Sequence, residues 1–379
     1  MEAIDAGTTT ILDHAHLNWS PNHSKPAIAG TITSGVRSVF AYTPTMLMES
    51  LKPIAFPKDA FPAWIMETLK TLSETKPLSD PNFRVQLGFA FDYYFLPEGM
   101  VKNYFAQAKA CGVKLITSHY VRFGGEHSPA LGELLHKYGL LDDNIVLSHA
   151  GGMPASEIKL LTDSNTYVSV TPNTEQAMNV GPSVCFNENL PGMFQRSSLG
   201  IDCHCATSSS IVNEMRTALQ TARGVHAIQH KSCGMESETY HNAAEAFNLG
   251  TIHGARALNM QDQIGSIAVG KKADLILFDT LSPAMLCAAQ RDPVMAIVLH
   301  SNIGDIDSVL VDGQFRKRDG KLLAVNKSNW DGDFEDGDKV EWKDVAKKLL
   351  GIQNRIIQRF PDLNLEELES TLRVRFTGH

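Results

Sequence analysis

The sequence predicts an α/β protein: a (β/α)8 TIM-type barrel with about seven βα units visible and the first one missing, a small C-terminal β-sandwich portion and a C-terminal helical tail. Three observations carry this reading. Short β-rich runs alternate with longer helix-compatible stretches to about residue 260, the pattern of a parallel sheet. The runs are apolar without clean alternation, as strands covered on both faces are. Each is followed by a polar residue, and the C-terminal ends of the strands are where such a barrel builds its active site.

The strand candidates, in order, are Thr8–Asp13, Val36–Tyr42, Arg84–Phe91, Val113–Ser118, Asn144–Ser148, Thr166–Thr171 and Ser197–Asp202. Eight strands close a barrel, so one unit is expected upstream of Met1, and the two unpaired strand edges predict self-association into a homo-oligomer. His241–Met260 places Ala244, Phe247, Ile252, Ala255 and Leu258 at helical spacing, predicting one helix packed on the barrel. From Ile264 the texture changes to short strands punctuated by Gly270, Asp312-Gly313 and Asp319-Gly320, which are hairpin turn signals. The expected organisation is a barrel over 1–262, a β portion over 263–325 and a tail over 326–379. That tail comprises an acidic loop (Asn329–Asp338) and an amphipathic helix (Val340–Phe360). Val345, Leu349, Ile352, Ile356 and Phe360 of the helix predict docking on the barrel or on a partner subunit.

Composition excludes several classes. A hydrophobic content of 43% is ample for a large core, and a net charge of −8 without a basic stripe argues against nucleic-acid binding. The N-terminus is acidic where a secretory signal is basic, and no run of ~18 apolar residues suggests a membrane span, so a soluble cytoplasmic protein is expected. Cys111, Cys185, Cys203, Cys205, Cys233 and Cys287 are too sparse for a disulfide scaffold and include no CxxC pair, which predicts reduced thiols. Nucleotide cradles of the GxxxxGK[ST] or GxGxxG type and a GxSxG elbow are absent. Asp331–Gly337 resembles a calcium loop in charge alone, because its glycine spacing is wrong.

The residues at strand ends point to metal chemistry. His119, His149 and Asp202 each close a strand candidate, so a barrel sets all three on one rim. A catalytic divalent ion takes imidazole and carboxylate ligands and keeps a position open for water. Each of the three is able to bind such an ion or move a proton: Asp202 can hold it and accept the water's proton, and His149, if not a ligand, is placed to polarise the scissile group or to pass a proton to the leaving nitrogen. His14 and His16 form an HxH pair after the first strand and are secondary ligand candidates. Cys203-His204-Cys205 supplies at most two thiolates and reads as loop lining, with His204 a substrate contact.

At this point the chain resembles the metal-dependent amidohydrolase superfamily, in its cytosine-deaminase-like and chlorohydrolase-like branch, from Glu2 to about Leu323. Gly250–Leu258 followed by Ile264–Leu275 is similar to that branch's "T..GA.aL" helix and "iGsl.vGk.ADl" hairpin. Ala6–His14 is similar to its second barrel strand, Pro172–Glu175 to the "P.tE" turn after the seventh, and Leu199–Asp202 to the "lG.D" ending the eighth. The resemblance implies a (β/α)8 barrel with a β-sandwich, one zinc or iron ion with zinc expected, and hydrolysis of non-peptide carbon–nitrogen bonds in a small molecule. It also implies that His119 is a metal ligand, His149 the histidine that assists the transition state, and Asp202 ligand and general base. Two features depart from the family pattern. The family's paired HxH ligands end a strand expected before Met1, so the site reads as half built, and a truncated, inactive protein is the alternative. In deaminases of this branch a glutamate lies three residues after the histidine matched by His119, but that position is Arg122 here, which shifts expectation from purine or pyrimidine deamination toward another amide, amine or halide. Arg122, Asn173, Glu175 and His204 are the substrate-binding candidates.

Overall fold

Seven apolar runs form seven parallel strands, hydrogen-bonded in strict chain order. They are β1 (Thr10–Ala15), β2 (Arg37–Tyr42), β3 (Val85–Ala90), β4 (Ile116–Val121), β5 (Ile145–Gly151), β6 (Tyr167–Val170) and β7 (Ser197–Leu199). The computed structural model describes residues 1–51, 54–122, 130–231, 239–328, 339–360 and 366. Among these, β1 and β7 are the edges of an incomplete TIM-type barrel. Thr8 Oγ1 donates to the Ser209 carbonyl at 2.8 Å, and Ser209 N donates to Glu2 Oε1 at 3.1 Å, so the segments flanking the two edges meet.

Side-chain alternation along the strands makes two cores. Phe40, Leu87, Phe89, Ile116, Leu147 and Val168 face the surrounding helices in the larger one. Val39, Val146 and Tyr167, with Leu12 packed beside them, face the opposite way and meet Ala255, Leu258, Met260 and Ile264. The motif after the barrel therefore plugs its interior, and the strand faces that supply this plug also carry His14 and His119 further along.

His241–Met260 is two helices, Ala243–Leu249 and Ile252–Ala257, where the spacing predicted one. Thr251 lies between them with φ −127° and ψ −96°, and its hydroxyl donates to the Phe247 carbonyl at 2.8 Å. This break rephases the second segment, so Ala246, Leu249, His253, Ala257 and Leu258 are buried, while Phe247 is only half-buried.

The small β portion is a four-stranded antiparallel sheet of β8 (Leu275–Phe278), β9 (Ile306–Val311), β10 (Gln314–Arg318) and β11 (Lys321–Leu322). Two helices, Leu286–Arg291 and Pro293–Leu299, separate its first two strands. The segment 264–274 is a turn and not the first arm of a hairpin: Lys271 Nζ donates to Ser266 Oγ at 2.6 Å and to the Gln261 carbonyl, folding the segment on itself. The short helix Glu2–Asp5 packs on this sheet through Ile4, and Lys317 Nζ reaches Asp5 Oδ1 at 2.9 Å.

Trp342–Arg359 is helical as expected, but none of its residues is buried, and Leu349, Leu350, Ile356 and Ile357 are exposed. The expected docking on the barrel is therefore not seen. The acidic loop around Asp331–Gly337 and Cys233 lie outside the described residues. The remaining five cysteines are free thiols, and no described helix is long and apolar enough to cross a membrane.

Candidate active site

The rim formed by the strand ends gathers the histidines that the sequence singles out. His14 from β1 and His119 from β4 have ring centroids 4.2 Å apart although two strands separate them in the sheet, so the rim curls inward. His16 stacks on His14 at 4.5 Å, and His149 of β5 lies 5.7 Å from His119. Asp202 follows β7 in an exposed loop at φ 66°. Ligand atoms of His119, His149 and Asp202 lie within 4.8 Å of one another, as do those of His14, His16 and His119. His119 is common to both sets.

Asp92, just past β3, is the residue that sequence reasoning left out of the site. Its Oδ1 accepts from the His119 backbone N–H at 2.7 Å, and its Oδ2 lies 2.9 Å from His119 Nδ1 and 3.1 Å from His14 Nε2. The signal was present, since Asp92 is a carboxylate at a strand end. With Nδ1 held by a carboxylate, His119 keeps Nε2 for a ligand, the usual second layer of a metal-bound imidazole. Burial pushes the Asp92 carboxyl up, but His119 and His14 outweigh it and hold the group well below the usual carboxylate range. Replacing Asp92 by asparagine is expected to weaken divalent-metal binding by about 10–100-fold, measured by competition with a chromophoric chelator.

The donor set fits a divalent ion. His14 Nδ1 is buried without a hydrogen-bond partner, and Nε2 has only the Asp92 carboxylate 3.1 Å away, a costly state that a metal–nitrogen bond relieves. Burial, reinforced by the neighbouring His14 and His119, pushes the His16 imidazole down to about 4, and burial also lowers that of His14. Neutral imidazoles are the form that binds metal. Burial opposes protonation of His119, but Asp92 and Asp202 raise its imidazole above the ordinary value.

His149 is positioned by a local irregularity in β5. The β4–β5 register shifts after Tyr120↔His149, leaving Ala150 unpaired before Val121↔Gly151, and His149 and Ala150 take φ 73° and 59°. A bulge of this kind re-aims a side chain beside an active site. The glycine that follows is obligatory, because a Cβ on Gly151 would lie 2.1 Å from the Val180 carbonyl oxygen. His149 Nδ1 pairs with Thr171 Oγ1 at 2.9 Å, which leaves Nε2 for chemistry.

Among the substrate-binding candidates, the structure separates inner from outer residues. Glu175 is 1% exposed: it accepts from Thr171 N at 2.8 Å and from the Ser183 hydroxyl, and it lies 3.6 Å from His149 Nδ1. It therefore braces His149 from behind. Asn173 donates to both oxygens of Glu214, at 3.0 and 2.8 Å. His204 is exposed beside Asp202, where Cys203 and Cys205 bring their sulfurs to 3.1 Å, and Arg122 donates to the Gly152 carbonyl at 2.8 Å.

Glu214 carries a pH prediction. It is fully buried in the helix Ile211–Gln229, and burial pushes its carboxyl up to about 7. Folding thus favours the protonated acid, so its contribution is complete below the unfolded value and is lost as pH rises through about 7. Glu214→Gln is expected to remove about 2 kcal/mol of stability loss between roughly pH 5 and pH 8, read from urea midpoints of the two proteins across that range.

Comparison with known proteins follows the same geometry. A model of the amidohydrolase family matches residues 1–316. A 5'-deoxyadenosine deaminase of Methanococcus vannielii is 31% identical over 199 residues, covering 52% of this chain and 43% of the relative. An S-triazine hydrolase of Gordonia rubripertincta is 28% identical over 202 residues, covering 52% of this chain and 39% of the relative. The chain thus spans less than half the length of these curated relatives. In fold it is similar to a zinc-bound adenosine deaminase of Xanthomonas campestris, with TM-score 0.66, 18% identity and coverage of 84% of this chain and 68% of that one. It is likewise similar to an atrazine chlorohydrolase mutant of Arthrobacter aurescens complexed with zinc and atraton, with TM-score 0.69, 16% identity and coverage of 84% and 70%.

Proposed function

The chain belongs to the amidohydrolase family, and from that premise we propose that it is a metal-dependent hydrolase of a non-peptide carbon–nitrogen bond in a small molecule. The carrying observation is that His119 belongs to two groups whose ligand atoms lie within 4.8 Å of one another, one with His14 and His16 and the other with His149 and Asp202. His119 Nε2 and Asp202 are the proposed core ligands. His14 and His16 complete the set, since their stacked imidazoles, grouped with His119, offer the third protein ligand that a catalytic site needs. A divalent ion, with zinc the proposed species, supplies a Lewis acid and lowers the pKa of bound water toward neutrality.

The chain's own residues do the rest. Asp202 accepts the proton of the attacking water. His149, oriented through Nδ1 by Thr171, uses Nε2 to steady charge on the substrate and to pass a proton to the departing nitrogen. Glu175 and Ser183 keep His149 from rotating. The deaminase and triazine hydrolase named among the relatives support an amine-bearing nitrogen heterocycle as the substrate class. Arg122, held against Gly152 near the His149 turn, supports a pocket unlike that of a glutamate-assisted deaminase.

The test of the ligand set is metal content per chain in the parent and in His14→Ala. Loss of the ion held at the rim is the expected result for His14→Ala. Full retention would restrict the ligands to His119, His149 and Asp202.

A further inference from the structure

We propose a second divalent-cation site of zinc type, formed by Glu188, His226 and His230 on the outside of the barrel. It shares no residue with the rim described above. His226 and His230 are four residues apart at the C-terminal end of the helix Ile211–Gln229, so their rings project from the same face. The ring centroids are 4.3 Å apart. Glu188, two residues beyond the turn Val184–Phe186, reaches both: Oε2 lies 2.8 Å from His230 Nε2, and Oε1 contacts His226 Nδ1. One ligand atom from each residue lies within 4.8 Å of the other two. Two imidazoles and one carboxylate form a zinc donor set that leaves room for water or a further ligand.

A supporting layer orients these donors. Tyr240 lies flat on the His226 ring, 4.2 Å away and 7° from parallel, and its hydroxyl donates to the Phe186 carbonyl at 2.9 Å. Arg223, one turn before His226, donates to the carbonyls of Tyr240 and His241 at 3.1 and 2.8 Å. The residues that fix His226 therefore also grip the turn that delivers Glu188, as second-layer groups around a metal do. A cavity of about 150 Å³, lined in part by Glu188, His226, Gln229 and Tyr240, opens beside two of the three donors and has room for an ion with its water. All three donors are partly exposed, at 29%, 21% and 52% for Glu188, His226 and His230, so the ion exchanges with solvent.

Bound there, the ion clamps the loop after β6 to the helix that follows β7. The same loop carries Ser183, whose hydroxyl engages the Glu175 carboxylate behind His149. The clamp is thus a structural tie whose loosening reaches the support of His149.

The test counts zinc on the full chain, stripped by dialysis against chelator and then titrated with zinc alone. The parent, Glu188→Gln, the double variant His226→Ala/His230→Ala and His119→Ala are compared by mass spectrometry after gel filtration. The parent is expected to bind two equivalents, and each changed protein one. Cobalt in place of zinc should show tetrahedral absorption bands that shrink by about half in Glu188→Gln. Glu188→Gln guards against a folding artefact, because it lies in a loop and should unfold at the parent's temperature when chelator is present. A zinc count unchanged by any substitution at 188, 226 or 230 would overturn the proposal and leave a hydrogen-bonded Glu–His clamp. Loss of one equivalent in His119→Ala but none in Glu188→Gln rejects this site and keeps the rim. The reverse pattern keeps this site and rejects the rim.

Discussion

Replacing His119 by alanine is expected to strip the divalent ion from the rim and to lower carbon–nitrogen hydrolysis by about three orders of magnitude or more. The size follows from its place in the constellation. His119 is the one donor common to the two overlapping sets, and its Nδ1 is tied to Asp92 so that Nε2 is presented for a ligand. Removing it leaves His14 and His16 on one side and His149 and Asp202 on the other, with no shared donor to hold an ion between them. It also leaves the half-buried Asp92 carboxylate without its closest imidazole partner. Replacing His149 by asparagine should separate the roles, keeping the metal while lowering kcat. Metal content and turnover measured on the same preparations give both readouts.

The second large effect concerns stability. Replacing Asp274 by alanine is expected to cost about 3–5 kcal/mol, because it strands a buried guanidinium. Arg37, in β2, donates through Nε to Asp274 Oδ2 at 2.6 Å and through Nη2 to Oδ1 at 3.0 Å, and the two side chains are 3% and 4% exposed. Asp274 Oδ1 also accepts from Asp312 N at 2.8 Å, so one carboxylate ties the barrel to the turn between β9 and β10. Asp312 shares Arg37 Nη2 at 3.0 Å but is 41% exposed, and Asp312→Ala should cost about 1 kcal/mol or less. Urea denaturation of the two variants checks the contrast. Equal small losses would mean that solvent reaches Arg37 and that the pair carries little of the tie.

This pair shows what could and could not be read from the chain alone. The motif containing Ala273-Asp274-Leu275 was recognisable, but its aspartate's partner, 237 residues away in β2, was not, because ion pairs across a sheet leave no local periodicity. Strands were the most legible elements. All seven lie within a few residues of the apolar runs, since a buried parallel strand needs an uninterrupted hydrophobic stretch and a polar stop. His119, His149 and Asp202 were legible for the same reason, as polar stops on a common rim. Asp92 is a polar stop of the same kind, but its role lies in its contacts with His119 and His14 from two other strands, which no local spacing encodes. The bulge at His149–Ala150 and the break at Thr251 depend on tertiary packing, so apolar periodicity ran straight through the break. The C-terminal helix kept its predicted amphipathic pattern while its apolar face lies exposed, because periodicity specifies a helix face and not its partner.

The central claim is zinc-supported hydrolysis at the rim with Asp202 as the proton acceptor. Its most direct test is the rate of ammonia or amine release from a panel of amino-substituted nitrogen heterocycles. The zinc-loaded parent is to be compared with zinc-loaded Asp202→Asn. Release by the parent, with a loss of about 10³-fold in Asp202→Asn, is the expected result. An Asp202→Asn rate within a few-fold of the parent would contradict the claim.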